Sequence, residues 1–264
     1  MRITTIINGK GGVGKTTTAQ ALATGLNKTP GCKSLAVDYD PQGNLSFAYG
    51  ADVISSPTMY HVINGDISLR EAIQHTPQGD IIVGNASLTK IETMFSGEDI
   101  FDGLDKLKDE LHQLEGEYTH ILIDNQPLIG GMLTRQTLIA ADDLVVPMLA
   151  DMFTIQGLAR LEKAVDSIQK RDNPGLTIAG ILLTKHQPRT IFGSSVGQAL
   201  LTWASEHETR VYDTYIRESV SVKEAQARKQ SLFDYAPYSN PAQDYLSFIK
   251  EYLAEEKGKK GKEV

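Results

Sequence analysis

The stretch Asn8-Gly9-Lys10-Gly11-Gly12-Val13-Gly14-Lys15-Thr16-Thr17 constrains the fold of this chain more than any other. It fits the pattern G-x-x-x-x-G-K-[ST], with Gly9 and Gly14 at the glycine positions and Lys15 and Thr16 after them. Side chains must be absent where backbone N–H groups close around a polyphosphate. A lysine must then follow at the start of a helix, whose N-terminus adds partial positive charge. Upstream, Ile3 to Ile7 is a short β-branched run suited to a buried strand; downstream, Thr16 to Leu26 is rich in alanine and leucine. Strand, glycine loop and helix stand in the order the pattern requires, so Gly11, Gly12, Val13, Gly14, Lys15, Thr16 and Thr17 are the candidate phosphate-binding residues.

Such a site needs a carboxylate for a divalent cation. Thr119-His120-Ile121-Leu122-Ile123-Asp124 is an apolar strand ending in an aspartate. Alone, Asp124 reads equally as a cap of the next turn; with the glycine loop present, Mg2+ is its better partner, and Thr16 supplies a hydroxyl ligand. Ser34-Leu35-Ala36-Val37-Asp38 reads as another strand, with Asp38 and Asp40 just beyond its end, where open parallel sheets bind ligands. Leu144 to Pro147 and Ile178 to Thr184 complete the strand series, and Phe153 to Lys170 has helical periodicity broken by Asn173-Pro174-Gly175. Alternating strands and helices predict an α/β fold, a mostly parallel, doubly wound sheet with helices on both faces.

Elsewhere the residues favour packing over chemistry. Ile63 to Ile73 suggests one helix ending near Gly65 and another capped by Ser68 with Glu71 closing a capping box. Ile100, Leu104, Leu107, Leu111 and Leu114 make an apolar helical stripe, too short for a coiled coil and so expected in the core. His186 stands in Lys185-His186-Gln187-Pro188 without a neighbouring ligand residue and reads as a solvated loop histidine. Asn240-Pro241 opens a final helix, after which 255–264 is polar, glycine-interrupted and expected to be disordered. With 264 residues and 41% hydrophobic content, 1–254 is expected to form one domain. The single cysteine, Cys32, excludes an internal disulfide and points to the cytoplasm.

Lys10-Gly11-Gly12-Val13-Gly14-Lys15-Thr16-Thr17 resembles the deviant Walker A motif of the ParA/MinD P-loop ATPases, and small ParA-type partitioning proteins most of all. The resemblance covers almost the whole chain and implies ATP and Mg2+ as cofactors. It also implies an ATP-dependent homodimer in which Lys10 reaches the partner's nucleotide. Asp38-Tyr39-Asp40-Pro41-Gln42-Gly43-Asn44 is similar to the family segment whose second aspartate orients the attacking water, which gives Asp40 a catalytic role beside Lys10 and Lys15. Asp38 then supports either the magnesium shell or Lys15. By the same resemblance, Thr184 and Lys185 lie near the adenine.

The implied function is partitioning of plasmid or chromosomal DNA by a slow ATPase, stimulated by a ParB-like centromere-binding partner. It binds double-stranded DNA without sequence preference, releases it on hydrolysis and associates with the nucleoid. Basic residues of the last third, Arg189, Arg217, Lys223, Arg228 and Lys229, would touch phosphates, although interleaved acids also fit a solvated surface. The net charge of −7 argues against a generally basic nucleic-acid binder. The short stretch before the loop leaves no room for a helix-turn-helix, so operator binding is not expected.

Two departures from the family stand out. Asn125-Gln126-Pro127 follows Asp124 where Cys-Pro-Pro or Thr-Pro-Pro is usual, placing two amides near the γ-phosphate. Ile216-Arg217-Glu218-Ser219-Val220 replaces an Ile-Pro-Arg-Asn-Val-like segment, displacing the arginine by one position. Two rival functions remain: a MinD-like membrane-associated spatial regulator, disfavoured because the tail lacks an apolar face, and a weakly hydrolysing nucleotide-dependent interaction switch. A cluster-carrying electron donor is excluded, since a cluster bridging two subunits needs two cysteines from each.

Overall fold

The computed structural model describes residues 1–95, 103–127, 129–150, 154–186 and 195–260. Seven strands form one sheet: β1 (Arg2–Ile6), β2 (Ser34–Tyr39), β3 (Ile73–Thr76), β4 (Gly79–Ile82), β5 (His120–Asn125), β6 (Asp143–Met148) and β7 (Thr177–Leu183). Their order is β3-β4-β2-β5-β1-β6-β7, and every pairing is parallel except the β3–β4 hairpin at one edge. This is the mostly parallel α/β sheet that the alternation of strands and helices predicts.

Both faces are covered, which explains why the strands read as nearly continuous apolar runs. On β5, Ile121 and Ile123 enter one core cluster and Leu122 the other; on β2, Leu35 and Val37 oppose Ala36 in the same way. One face is packed by α1 (Lys15–Asn27) and α2 (Asn44–Tyr49), and by α9 (Val220–Ala227), α10 (Leu232–Tyr235) and α11 (Asn240–Lys260). The other carries α3 (Met59–Asn64), α4 (Ile91–Met94), α5 (Lys106–His112) and α6 (Met132–Ala140), with α7 (Thr154–Arg171) and α8 (Ser195–Glu206).

The leucine stripe is core, as expected: Leu104, Leu107, Leu111 and Leu114 are buried, while Ile100 lies outside the described residues. Gly65 ends α3 in the left-handed conformation, and the Ser68–Glu71 capping box is present. The box caps only the 3-10 turn Leu69–Ala72, because Ile73 already begins β3. At the C-terminus, α11 runs to Lys260, so the expected disordered tail starts as helix; glutamate, lysine and alanine are good helix formers and no proline stops them. Residues 261–264 lie outside the described residues. No helix among the described residues is long and apolar enough to cross a membrane.

Candidate functional site

The glycine loop joins β1 to α1 at the C-terminal edge of the sheet, beside the neighbouring strands β5 and β6. Gly12 (φ 73°) and Gly14 (φ 93°) are left-handed, a conformation that a β-carbon strains, so the loop needs glycine there. Lys15 opens α1 and is buried, its Nζ donating to the Lys10 carbonyl oxygen at 3.3 Å. Burial lowers its pKa, against the opposing pull of Asp124 and Asp40. Lys10 itself is exposed, its N–H bonded to Asn8 Oδ1 at 2.8 Å.

Register brings the carboxylates together. Asp124 of β5 stands opposite Asp38 of β2 and Ile6 of β1. Asp124 is fully buried, and neither carboxylate oxygen has a hydrogen-bond partner of good geometry, the Thr16 hydroxyl being the donor beside it. Burial and then the charge of Asp38 raise its pKa well above the carboxylate range, while Thr16 and Lys15 oppose the shift. An orphaned buried carboxylate beside a threonine hydroxyl fits a hard divalent cation with oxygen ligands. No group of three or more His, Cys, Asp or Glu among the described residues could hold a metal. A cation here would therefore share its coordination with phosphates and water, the usual habit of Mg2+.

Asp38 is placed differently. Its Oδ2 accepts from Ser46 N (2.7 Å) and Ser46 Oγ (2.6 Å), and its Oδ1 from Asp40 N at 3.3 Å. Burial pushes its carboxyl up to about 6, with the Ser46 hydrogen bonds opposing. It pins the start of α2 and acts on Asp124 through charge. Asp40 is buried, accepts the Gln42 N–H at 2.9 Å and faces Lys15 and Thr16 across a cavity of about 560 Å3.

Thr184 and Lys185 do reach the loop: Thr184 Oγ1 donates to the Val13 carbonyl at 2.7 Å and Lys185 Nζ to the Gly12 carbonyl at 2.6 Å. His186 is a correction, because it is buried rather than solvated. Its N–H donates to the Ile216 carbonyl and its ring meets Tyr215 edge-on at 4.2 Å, so burial lowers its pKa.

Of the two amides, Asn125 Nδ2 donates to Thr137 Oγ1 at 3.0 Å while its buried Oδ1 has no partner, and Gln126 Nε2 donates to Glu92 Oε1 at 2.9 Å. Glu92 in turn accepts from Met132 N at 2.6 Å and Leu133 N at 3.4 Å, at the start of α6. Sequence reasoning missed Glu92, which has no motif; only the fold brings it to Gln126.

Of the basic residues, Arg217 and Lys223 line the same cavity. Arg217 is clamped on Asp244, with Nε at 2.9 Å and Nη2 at 2.6 Å from the carboxylate. Arg228 lies over Tyr235 and Lys229 over Phe47, with 5.5 and 5.4 Å to the ring centroids. Lys223 is exposed at the cavity wall, and Arg189 lies outside the described residues.

Sheet order and loop geometry place the chain in the P-loop class of nucleotide-binding α/β proteins. Residues 1–178 match a family model described as an AAA domain. The chromosome partitioning protein ParA of Caulobacter vibrioides (strain NA1000 / CB15N) is 32% identical over 267 residues, covering 99% of this chain and 97% of that one. A Mycobacterium smegmatis structure named cobyrinic acid a,c-diamide synthase, with bound ADP and magnesium, superposes with a TM-score of 0.80 at 28% identity over 97% and 96% of the two chains. The septum site-determining protein MinD of Pyrococcus horikoshii OT3, complexed with Mg-ADP, gives 0.73 at 25% identity over 95% of each. The chain belongs to this AAA-domain family, as a member of the ParA/MinD ATPases.

Proposed function

We propose that the chain is a ParA-type ATPase that partitions DNA, binding ATP with Mg2+ between two copies of itself. The observation that carries this is Asp124, a fully buried carboxylate without a well-formed hydrogen bond, held among Lys15, Thr16 and Asp40 while Lys10 stands exposed on the same loop. Lys15 and the N–H groups from Gly11 to Thr17 bind the phosphates. Thr16 and Asp124 would hold Mg2+, which would supply charge neutralisation for the phosphates. Asp40 orients the attacking water, and Lys10 of the second copy completes the γ-phosphate site; a cation delivered in trans is worth on the order of a thousandfold in turnover.

Pairing two weak basic faces gives the dimer an avidity for DNA that one copy lacks, so hydrolysis, stimulated by a ParB-like partner, releases the DNA. The protein then works in the cytoplasm, on the nucleoid. Asn125-Gln126 after Asp124, in place of the usual Cys-Pro or Thr-Pro, favours one rival, a nucleotide-dependent interaction switch that scarcely hydrolyses ATP. Single-turnover phosphate release with and without DNA separates the two.

The test is size-exclusion chromatography with ATP and Mg2+, followed by salt-dependent DNA binding on the same samples. Asp40→Ala is expected to accumulate an ATP-bound dimer that retains DNA, and Lys10→Ala and Lys15→Ala to remain monomeric. Equal DNA affinity in all three variants would overturn the coupling.

A further inference from the structure

Two lysines close on the phosphate loop. Lys15 binds the Lys10 carbonyl and Lys185, from beyond the end of β7, binds the Gly12 carbonyl, while Thr184 takes the carbonyl of Val13. A trans peptide unit is planar, so its N–H points opposite to its C=O. Fixing a carbonyl therefore aims the N–H of the following residue. Lys15 thus sets the direction of the Gly11 N–H, Lys185 that of Val13 and Thr184 that of Gly14.

A second observation is independent of these bonds. Lys185 has a φ of 51°, one of three positive-φ residues other than glycine among the described residues. The left-handed region costs a long side chain about 1–2 kcal/mol. Such strain persists only where its surroundings over-determine it. Here the flanking backbone is held on both sides, Thr184 N to the Met148 carbonyl at 2.8 Å and His186 N to the Ile216 carbonyl at 2.9 Å. The result carries an exposed lysine back over the glycine loop, on the wall of the same cavity as Lys15.

We propose that Lys185 is a positioning residue of the nucleotide site, whose ammonium braces the Gly12 peptide so that the Val13 N–H faces the phosphates of a nucleoside di- or triphosphate. This rests on the ATP-binding function proposed above. The brace acts before the nucleotide arrives, and that separates its test from the test of binding.

The experiment compares wild type, Lys185→Met, which keeps the stem without the charge, and Lys185→Arg, which restores a cation. The backbone 15N order parameter of Val13 is measured by NMR without nucleotide, and ADP affinity by calorimetry with Mg2+. Lys185→Met is expected to lower the Val13 order parameter and to weaken ADP binding by about tenfold, with an unchanged thermal midpoint without nucleotide; Lys185→Arg recovers most of both. An unchanged Val13 order parameter in Lys185→Met overturns the brace, even if ADP binds. Absence of ADP binding by wild type overturns the ATP-binding function instead, and the order-parameter comparison still decides the brace.

Discussion

Asp124 shows at a single residue how a site built for a charged ligand costs stability without it. Its carboxyl is fully buried and faces the charge of Asp38, and Thr16 and Lys15 only partly offset this, so ionisation is strongly opposed in the folded chain and unopposed in the unfolded one. An amide of the same shape escapes this difference and the repulsion from Asp38. Asp124→Asn is therefore expected to raise the stability of the nucleotide-free protein by about 1–2 kcal/mol in urea unfolding near pH 7 with EDTA. The same change should weaken Mg2+-dependent ADP binding by about tenfold or more. A loss of stability in the amide variant would show that the carboxylate has protein partners after all.

Between elements, the joint of α7 with α8 has a pH dependence whose sign follows from geometry. His207 stacks on Trp203 with the rings 15° apart, its Nδ1 lies 2.7 Å from the Trp203 carbonyl oxygen and its Nε2 lies 2.9 Å from Glu162 of α7. Both ring nitrogens face acceptors, so only the imidazolium satisfies both. Burial works against the charged form, but the Trp203 carbonyl and Glu162, helped by Glu206, hold the pKa above its usual value of 6.5. A raised folded pKa means that the contribution is complete below the unfolded value and fades as pH rises through the folded one. In a double-mutant cycle of His207→Ala with Glu162→Gln, the coupling should be about 0.5 kcal/mol near pH 5.5 and vanish by about pH 9; this small size reflects partial exposure. A coupling that grows with pH would refute the assignment.

How legible each element was depended on how local its cause is. The buried strands were readable because cover on both faces leaves an apolar run, but Ile73–Thr76 carries Gln74 and His75 at a half-exposed edge and gave no such signal. Lys15, Thr16 and Asp124 were readable because a glycine loop and a strand end are local patterns. The Lys185–Gly12 bond spans 173 positions and the Gln126–Glu92 bond spans 34, so the fold alone places those partners together.

Across the whole molecule, α1 joins the packed face to the nucleotide edge. Its first residues are Lys15 and Thr16; further along, Thr18 Oγ1 meets Tyr245 OH at 3.1 Å, and Gly25 lies against α10 and α11. α11 in turn reaches the middle of β1, where Tyr252 OH and Thr4 Oγ1 are hydrogen-bonded at 2.7 Å. A β-carbon on Gly25 would overlap Ile249 Cδ1 and stand 3.2 Å from Phe233 Cε2, so glycine is what lets the two helices approach. Gly25→Ala gains about 1 kcal/mol of helix propensity. Overpacking in a closed core costs about 1–3 kcal/mol, and two side chains must yield at once, so the variant is expected to lose stability on balance. Ile249→Val removes the overlapping methyl; alone it costs about 0.5–1.5 kcal/mol. Combined with Gly25→Ala, it should leave the double variant about 1 kcal/mol or more above the sum of the single effects in urea unfolding. Because α1 carries the phosphate-binding end, Gly25→Ala should also weaken ADP binding and the double variant should restore it. Additive stabilities would mean that the core yields freely at this contact and that α1 does not move as one body.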